Sequence, residues 1–180
     1  MGYKLTSWIE EIVARYYQKQ GFFVITNYPF FIPREKSGKN VGGWSDIDIL
    51  AYNREELHVV QCKPFLGKRK ANEEARRILK WFNYALNHLR KDNKFNYIID
   101  ENAKIVKRVI LQSPQPKKAI KILEEKDIEV IVLKDVIKEL IDIIKDEIEK
   151  YRKEGRGRIG KEDDTLLSFI RELILTKIIN

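Results

Sequence analysis

Asp48, Gln61 and Lys63 are the residues whose types and spacing can do chemistry. They lie in the stretch Gly42–Lys63, where the apolar runs Ile47–Tyr52 and Leu57–Cys62 flank the polar tetrad Asn53-Arg54-Glu55-Glu56. Two short apolar runs around a polar turn predict a β-hairpin. Alternate residues of a strand share a face, so Asp46, Asp48 and Leu50 fall together, as do Val59, Gln61 and Lys63. A turn centred on Arg54-Glu55 sets Asp48 opposite Gln61 and Asp46 opposite Lys63. A slip of one residue would reverse the faces. Carboxylates with an amide oxygen can hold a hard divalent cation such as Mg²⁺ or Mn²⁺, which keeps several waters and needs only one or two carboxylates. A lysine beside that cation can hold a water or a phosphate oxygen and stabilise developing negative charge. This is the equipment of a metal-dependent phosphodiesterase. The plain alternative is a cross-strand ion pair of Asp48 with Lys63, with Gln61 facing water.

The run Ile47-Asp48-Ile49-Leu50-Ala51 followed by Gln61-Cys62-Lys63 resembles the PD-(D/E)xK nuclease motif. It is most similar to the Mrr-like branch of that superfamily, in which Gln often takes the place of the second acid. The resemblance implies that Asp48 is the metal-binding Asp, that Gln61 stands at the D/E position and that Lys63 is the motif lysine. Ile47 occupies the place of the name-giving Pro. Gln61 replaces an anionic ligand, which implies weaker metal binding. Asp48, the Gln61 side-chain oxygen and the Cys62 carbonyl are the expected metal ligands, with Glu10 and Asp46 as second ligands or water-positioners.

Ser7-Trp8-Ile9-Glu10 reads as a capping box, Ser7 at the N-cap and Glu10 reaching back from the third helical position. Trp8, Ile9, Ile12, Val13, Tyr16 and Tyr17 then recur at helical spacing up to Gly21, a C-terminal helix stop. Ile9-Glu10-Glu11-Ile12-Val13-Ala14 with Gly21-Phe22 also resembles the first helix of Mrr-like and archaeal Holliday-junction-resolvase-like nucleases. That helix commonly supplies a glutamate to the metal site, which implies a catalytic role for Glu10. The capping box is a sufficient structural reason for the same residue.

The 180 residues carry a net charge of +8, with 43% hydrophobic and 34% charged residues, so the chain can bury a core and is not a disordered polyelectrolyte. No apolar run reaches the length of a membrane span, and the first residues lack a signal-peptide core. One cysteine, Cys62, excludes a disulfide framework and a Cys-based zinc site. These features predict a cytoplasmic protein, and the Lys, Glu and Ile content hints at a thermophile. The positive charge is clustered. Pro64–Lys91 holds eight basic residues against Glu73 and Glu74, and Lys150–Lys161 holds six against Glu154. Lys39, Lys68, Arg69, Lys70, Arg76, Arg77 and Lys80 are therefore the candidate nucleic-acid contacts. A merely solvated surface is the other reading.

Phe22–Thr26 and Tyr28–Ile32 read as one strand interrupted near Pro29, with Tyr28, Phe30 and Phe31 in the core. Arg34–Gly43 is a Gly-rich loop entering the hairpin. Trp44 has two readings, core residue or base-stacking platform. His58 faces away from Gln61 and Lys63, and His88 reads as an ordinary helix-end residue. Ala75, Ile78, Leu79, Phe82, Leu86 and Leu89 mark a long amphipathic helix. Strand Ile105–Leu111, helix Pro116–Lys126 opened by Ser113-Pro114, strand Ile128–Leu133 and a helix from Asp135 follow. This order predicts an α/β fold with a mixed sheet flanked by helices, and it resembles the restriction-endonuclease-like core over residues 1–135. Residues 136–180 are a C-terminal helical extension. Its last helix is apolar over much of its surface, so it covers the core or a second subunit, and a homodimer is expected. Gly155-Arg156-Gly157-Arg158-Ile159-Gly160 connects these helices or follows a phosphate backbone.

The expected function is Mg²⁺- or Mn²⁺-dependent cleavage of nucleic acid, most readily double-stranded or branched DNA. The rivals are a nucleic-acid-binding module of the same fold without cleavage and an assembly subunit built on the C-terminal helices.

Overall fold

The computed structural model describes residues 7–33, 42–64, 71–96, 103–113, 117–154 and 165–176. The candidate contacts Lys39, Lys68, Arg69 and Lys70 lie outside the described residues, as do most of the Gly-rich loop and the whole Gly-Arg loop. Residues Met1–Leu133 make one compact unit and Lys134–Asn180 a second.

Helix α1 spans Trp8–Lys19 and carries the capping box at its start. Its end is a Schellman turn: Phe22 N–H donates to Tyr17 O and Gly21 N–H to Gln18 O, both at 3.0 Å. Gly21 takes the left-handed φ of 85° that such a turn requires. Ile9, Val13, Ala14, Tyr16 and Tyr17 are buried, but Trp8 is 53% exposed. Trp8 is one step, about 100°, around the helix from Ile9 and so falls off the buried stripe.

Strands β1 (Phe23–Ile32), β2 (Gly43–Tyr52), β3 (Glu56–Lys63), β4 (Lys104–Leu111) and β5 (Ile128–Val132) form one sheet in that spatial order. The pairs β1–β2 and β2–β3 are antiparallel, while β3–β4 and β4–β5 are parallel. Pro29 sits on the edge strand, where its missing N–H removes no ladder bond from the interior. Helix α2 (Ala71–Leu89) leads through a short α3 (Asn93–Asn96) to β4, and α4 (Lys117–Glu124) joins β4 to β5. The main core lies where α2 and α4 cover one sheet face. Ala75, Ile78, Phe82, Ala85, Leu89, Ala119 and Leu123 meet Leu50, Leu57, Val59, Val109, Leu111 and Ile128 there. His58, between Leu57 and Val59, faces the other way and meets Tyr17 of α1. His88, in the last turn of α2, is half-buried against the rings of Tyr28 and Phe30.

The second unit contains α5 (Leu133–Lys153), which starts in the last residue of the first, and α6 (Thr165–Leu175). Val136, Leu140, Ile144 and Ile148 form the buried stripe of α5. On α6 the buried residues are Leu167 and Arg171, whereas Phe169 is 60% exposed. No described helix is long and apolar enough to cross a membrane.

Candidate functional site

The hairpin turns where expected. Asn53 Oδ1 accepts from Glu56 N–H at 2.9 Å and from Glu55 N–H at 3.3 Å, and Arg54 takes a φ of 72°. The register is also the expected one over Tyr52↔Leu57, Ala51↔His58, Leu50↔Val59 and Ile49↔Val60, and there the ladder stops. Asp48 is not paired with Gln61 through the ladder, nor Asp46 with Lys63. Below Ile49, β2 stays on β1 as far as Gly43↔Ile32, while Gln61, Cys62 and Lys63 stay on β4 opposite Val109, Ile110 and Leu111. The two strands part as a fork, and the side chain of Asp48 bridges its apex: Oδ2 accepts the Cys62 N–H at 2.7 Å.

The fork follows from a break in strand alternation. Leu50 and Ile47 both join the core under α2, and Ser45 Oγ accepts from Trp81 Nε1 of α2 at 3.2 Å. Two residues three apart can share a face only if the pleat slips between them. Asn27, which falls between the rungs Thr26↔Ile49 and Tyr28↔Ile47, has a φ of 53°, a left-handed conformation in mid-strand. The slip moves Asp46 off the face of Asp48 and Leu50, contrary to the simple alternation, and it turns Trp44 outward. Trp44 is 65% exposed and Phe31 47%, so neither is a core residue.

Asp48 is buried, with 8% of its surface exposed. Gln61 Oε1 is buried and accepts no hydrogen bond. A buried amide oxygen without a donor is costly, and a cation can satisfy it. Lys63 is drawn below the ordinary lysine range, first by burial and then by Arg77, while Glu74 and Asp48 hold it up. Glu74 is the residue that sequence reading passes over. It is 2% exposed in the first turn of α2, and its Oε2 lies 3.8 Å from an Arg77 guanidinium nitrogen without a hydrogen bond. In the sequence it reads as an ordinary first-turn acid favoured by the helix dipole. Its only distinguishing signal is its position one turn before Ile78 on the apolar stripe.

The structure thus gathers Asp48, Cys62, Lys63, Glu74 and Arg77, with Gln61 on the same strand. Glu10 is buried but engaged: Oε1 accepts from Ser7 Oγ at 2.9 Å and Oε2 from Ser7 N–H at 3.3 Å. Among the described residues, no three His, Cys, Asp or Glu side chains come together to hold a metal ion. Asp48, the unsatisfied Gln61 oxygen and the Cys62 carbonyl would offer only oxygen ligands, which suits Mg²⁺ or Mn²⁺. Arg76, Arg77 and Lys80 are exposed on α2, and Lys80 Nζ stands 5.8 Å from the centre of the Tyr84 ring.

No protein-family model matches the chain, and no curated protein matches it in sequence. Among solved structures it is similar to the crystal structure of a protein of unknown function, AF1548, with 17% sequence identity and a TM-score of 0.43. The match covers 68% of this chain and 55% of that one, so the chain spans about half the length of that protein. A likeness this weak bears on neither fold nor function.

Proposed function

We propose that this chain is a metal-dependent endonuclease of the restriction-endonuclease-like, PD-(D/E)xK kind, acting on phosphodiester bonds of DNA. The observation that carries the reading is the fork. It holds the buried Asp48 on the Cys62 N–H and within electrostatic reach of the half-buried Lys63, on the strand that also carries the unsatisfied Gln61 oxygen. A structural ion pair alone leaves that acceptor unexplained. Asp48, Gln61 Oε1 and the Cys62 carbonyl are the groups that would hold Mg²⁺ or Mn²⁺, which supplies Lewis-acid polarisation of a phosphoryl oxygen. Lys63 places its ammonium against the phosphate, where it offsets charge gained in the transition state. Arg77 and the exposed face of α2 bring in the polyanion. Glu10, whose two oxygens are taken by Ser7, serves here as the cap of α1.

A nuclease assay with Mg²⁺ and Mn²⁺ on duplex, branched and single-stranded DNA tests this. Cleavage that stops on chelation is the expected result. Binding without cleavage under every metal supports a second reading, a binding module of the same fold, which the neutral Gln61 favours. Gln61→Glu adds an anionic oxygen and is expected to tighten Mn²⁺ by about tenfold or more in calorimetry. No gain would place Gln61 away from the ion.

Reversing charge at Arg76, Arg77 and Lys80 is expected to weaken binding alike across sequences. It should also lower the slope of log affinity against log salt by about 2–3, since each phosphate contact contributes about 0.9. Unchanged affinity over a salt series would make this face ordinary surface. A homodimer through the C-terminal helices, setting two forks on the two strands of a duplex, belongs to the same proposal. Light scattering at micromolar concentration decides it.

A further inference from the structure

Strand β3 pairs with β4 without a break from Glu56↔Lys104 to Lys63↔Leu111, so strict alternation holds along it. Leu57 and Val59 join the core under α2, which puts Gln61 and Lys63 on that same face. Helix α2 leads from β3 towards β4, and these strands run parallel. A helix that joins parallel strands must return against them, so its first turn stands at the end where β3 finishes. That carboxyl end is where open α/β sheets bind their ligands. Glu74 lies in this first turn, and with Ala75 and Ile78 it starts the buried stripe of α2. Chain path and helix phase thus bring one glutamate to the Gln61–Lys63 end of the sheet. Glu74 and Asp48 are both among the charges that act on the Lys63 ammonium.

The surroundings of Glu74 do not account for it. The helix dipole favours an acid in this turn, but Glu73 is exposed there and serves that end without leaving water. Glu74 is 2% exposed, and its Oε2 accepts no hydrogen bond. The Arg77 nitrogen at 3.8 Å is about 1 Å beyond a charge-assisted hydrogen bond, on a side chain that is 56% exposed. The Glu74 oxygen has lost water and gained no donor. Its cost exceeds that of the Gln61 oxygen, which carries no full charge. One cation satisfies both acceptors, and the neutral Gln61 leaves that cation short of the charge a second carboxylate supplies.

On the metal-dependent reading above, we propose that Glu74 is a ligand of the same divalent ion, the carboxylate that joins Asp48 and stands in for the charge Gln61 lacks. The ion then ties the first turn of α2 to the end of β3.

The test is calorimetric titration of the full chain with Mn²⁺ alone, without nucleic acid. Glu74→Gln is expected to weaken Mn²⁺ by about tenfold or more, and the exposed Glu73→Gln by less than about twofold. At equal Mn²⁺ the melting temperature of Glu74→Gln should also rise less than that of the wild type, since the ion stabilises only the state that binds it. Arg77→Ala separates a ligand from an ion-pair partner: removing a neighbouring cation should leave Mn²⁺ affinity unchanged or tighter. Glu74→Asp keeps the charge but withdraws the oxygen by one methylene, so the loss of affinity is read there if the Gln variant does not fold by circular dichroism. Unchanged Mn²⁺ affinity in a folded Glu74 variant overturns the proposal, makes Glu74 a partner of Arg77 alone, and leaves Asp48 and Gln61 as ligands. Equal weakening by Arg77→Ala and Glu74→Gln overturns it too. A wild type that takes up neither Mn²⁺ nor Mg²⁺ fails the metal-dependent reading itself, and Glu74 with it.

Discussion

Asp48→Asn is expected to lower cleavage by at least about 10²-fold while the protein stays folded and keeps most of its nucleic-acid affinity. The loss follows from removing a carboxylate that the proposal gives to the metal ion, and losses of about 10²–10³ accompany the removal of a single group aimed at transition-state charge. The fold survives because Asp48 has a second task that Asn can perform. Its Oδ2 takes the Cys62 N–H at the fork apex, and the Asn carbonyl can accept the same donor. A charge-assisted bond becomes a neutral one, a change of about 1 kcal/mol, partly offset because no buried charge remains to be desolvated. Asp48→Ala should behave differently: the Cys62 N–H loses its acceptor and stability falls along with activity. Parallel measurements of cleavage rate, DNA affinity and melting temperature separate the two. Full activity in purified Asp48→Asn would remove Asp48 from the site.

Tyr17→Phe is expected to destabilise the first unit by about 2–4 kcal/mol and to lower its melting temperature by roughly 5–15 °C. Tyr17 is fully buried between α1 and the sheet. Its hydroxyl accepts from an Arg108 guanidinium nitrogen at 2.7 Å and lies 3.1 Å from His58 Nδ1. Arg108 continues to Glu129 at 2.8 and 2.5 Å, and His58 Nε2 lies 2.9 Å from Glu56. One tautomer satisfies every member: Tyr17 donates to Nδ1, and Nε2–H donates to Glu56. Burial keeps the Tyr17 phenol protonated far above neutrality, so it remains a donor. Phe fills the same space but takes the donor from the buried His58 Nδ1 and one acceptor from the half-buried Arg108. A loss below about 0.5 kcal/mol in thermal unfolding by circular dichroism would show that water replaces the hydroxyl.

The same network gives a pH dependence. Burial, with Arg108 adding to it, holds His58 below its ordinary value of 6.5 against the pull of Glu56. The unfolded chain therefore binds the proton more readily. The stability contributed by neutral His58 is present above about pH 6.5 and declines as pH falls through the lower folded value. A His58→Gln variant should show a flatter melting profile between about pH 7 and pH 5.

What the sequence made legible is what is decided locally. The Ser7–Glu10 capping box, the Gly21 stop, the Asn53 turn and the first four rungs of the hairpin each depend on residues a few positions apart. The candidate site is legible in its residue types, Asp48, Gln61 and Lys63, but the fork that carries them is not. Strict alternation carries Leu50, Asp48, Asp46 and Trp44 down one face. The slip between Ile47 and Leu50 cancels that rule, and its cause lies partly on another strand, at Asn27. Nothing in a pattern of apolar and polar letters marks a left-handed residue across a ladder. Glu74 escaped for a related reason: a first-turn glutamate is explained well enough by its own helix until the neighbouring strand is known to end in a half-buried lysine.

The mixed order of the sheet also sets a schedule for folding. Strands β1, β2 and β3 meet through neighbours in the chain, so their ribbon can close early. The edge of β3 that bears Gln61 and Lys63 waits for β4, across a loop whose first contact, Glu56 with Lys104, spans 48 positions. Closing so long a loop costs entropy before any contact rewards it, which places parallel pairing late. The residues of the fork are thus encoded close together but completed apart in time. On that order Lys63 stays solvated until α2 and β4 dock and bring Glu74 and Arg77 to it. The charged centre is then a product of the final step, and an ensemble stalled at the ribbon would carry every residue of the site and none of its electrostatics.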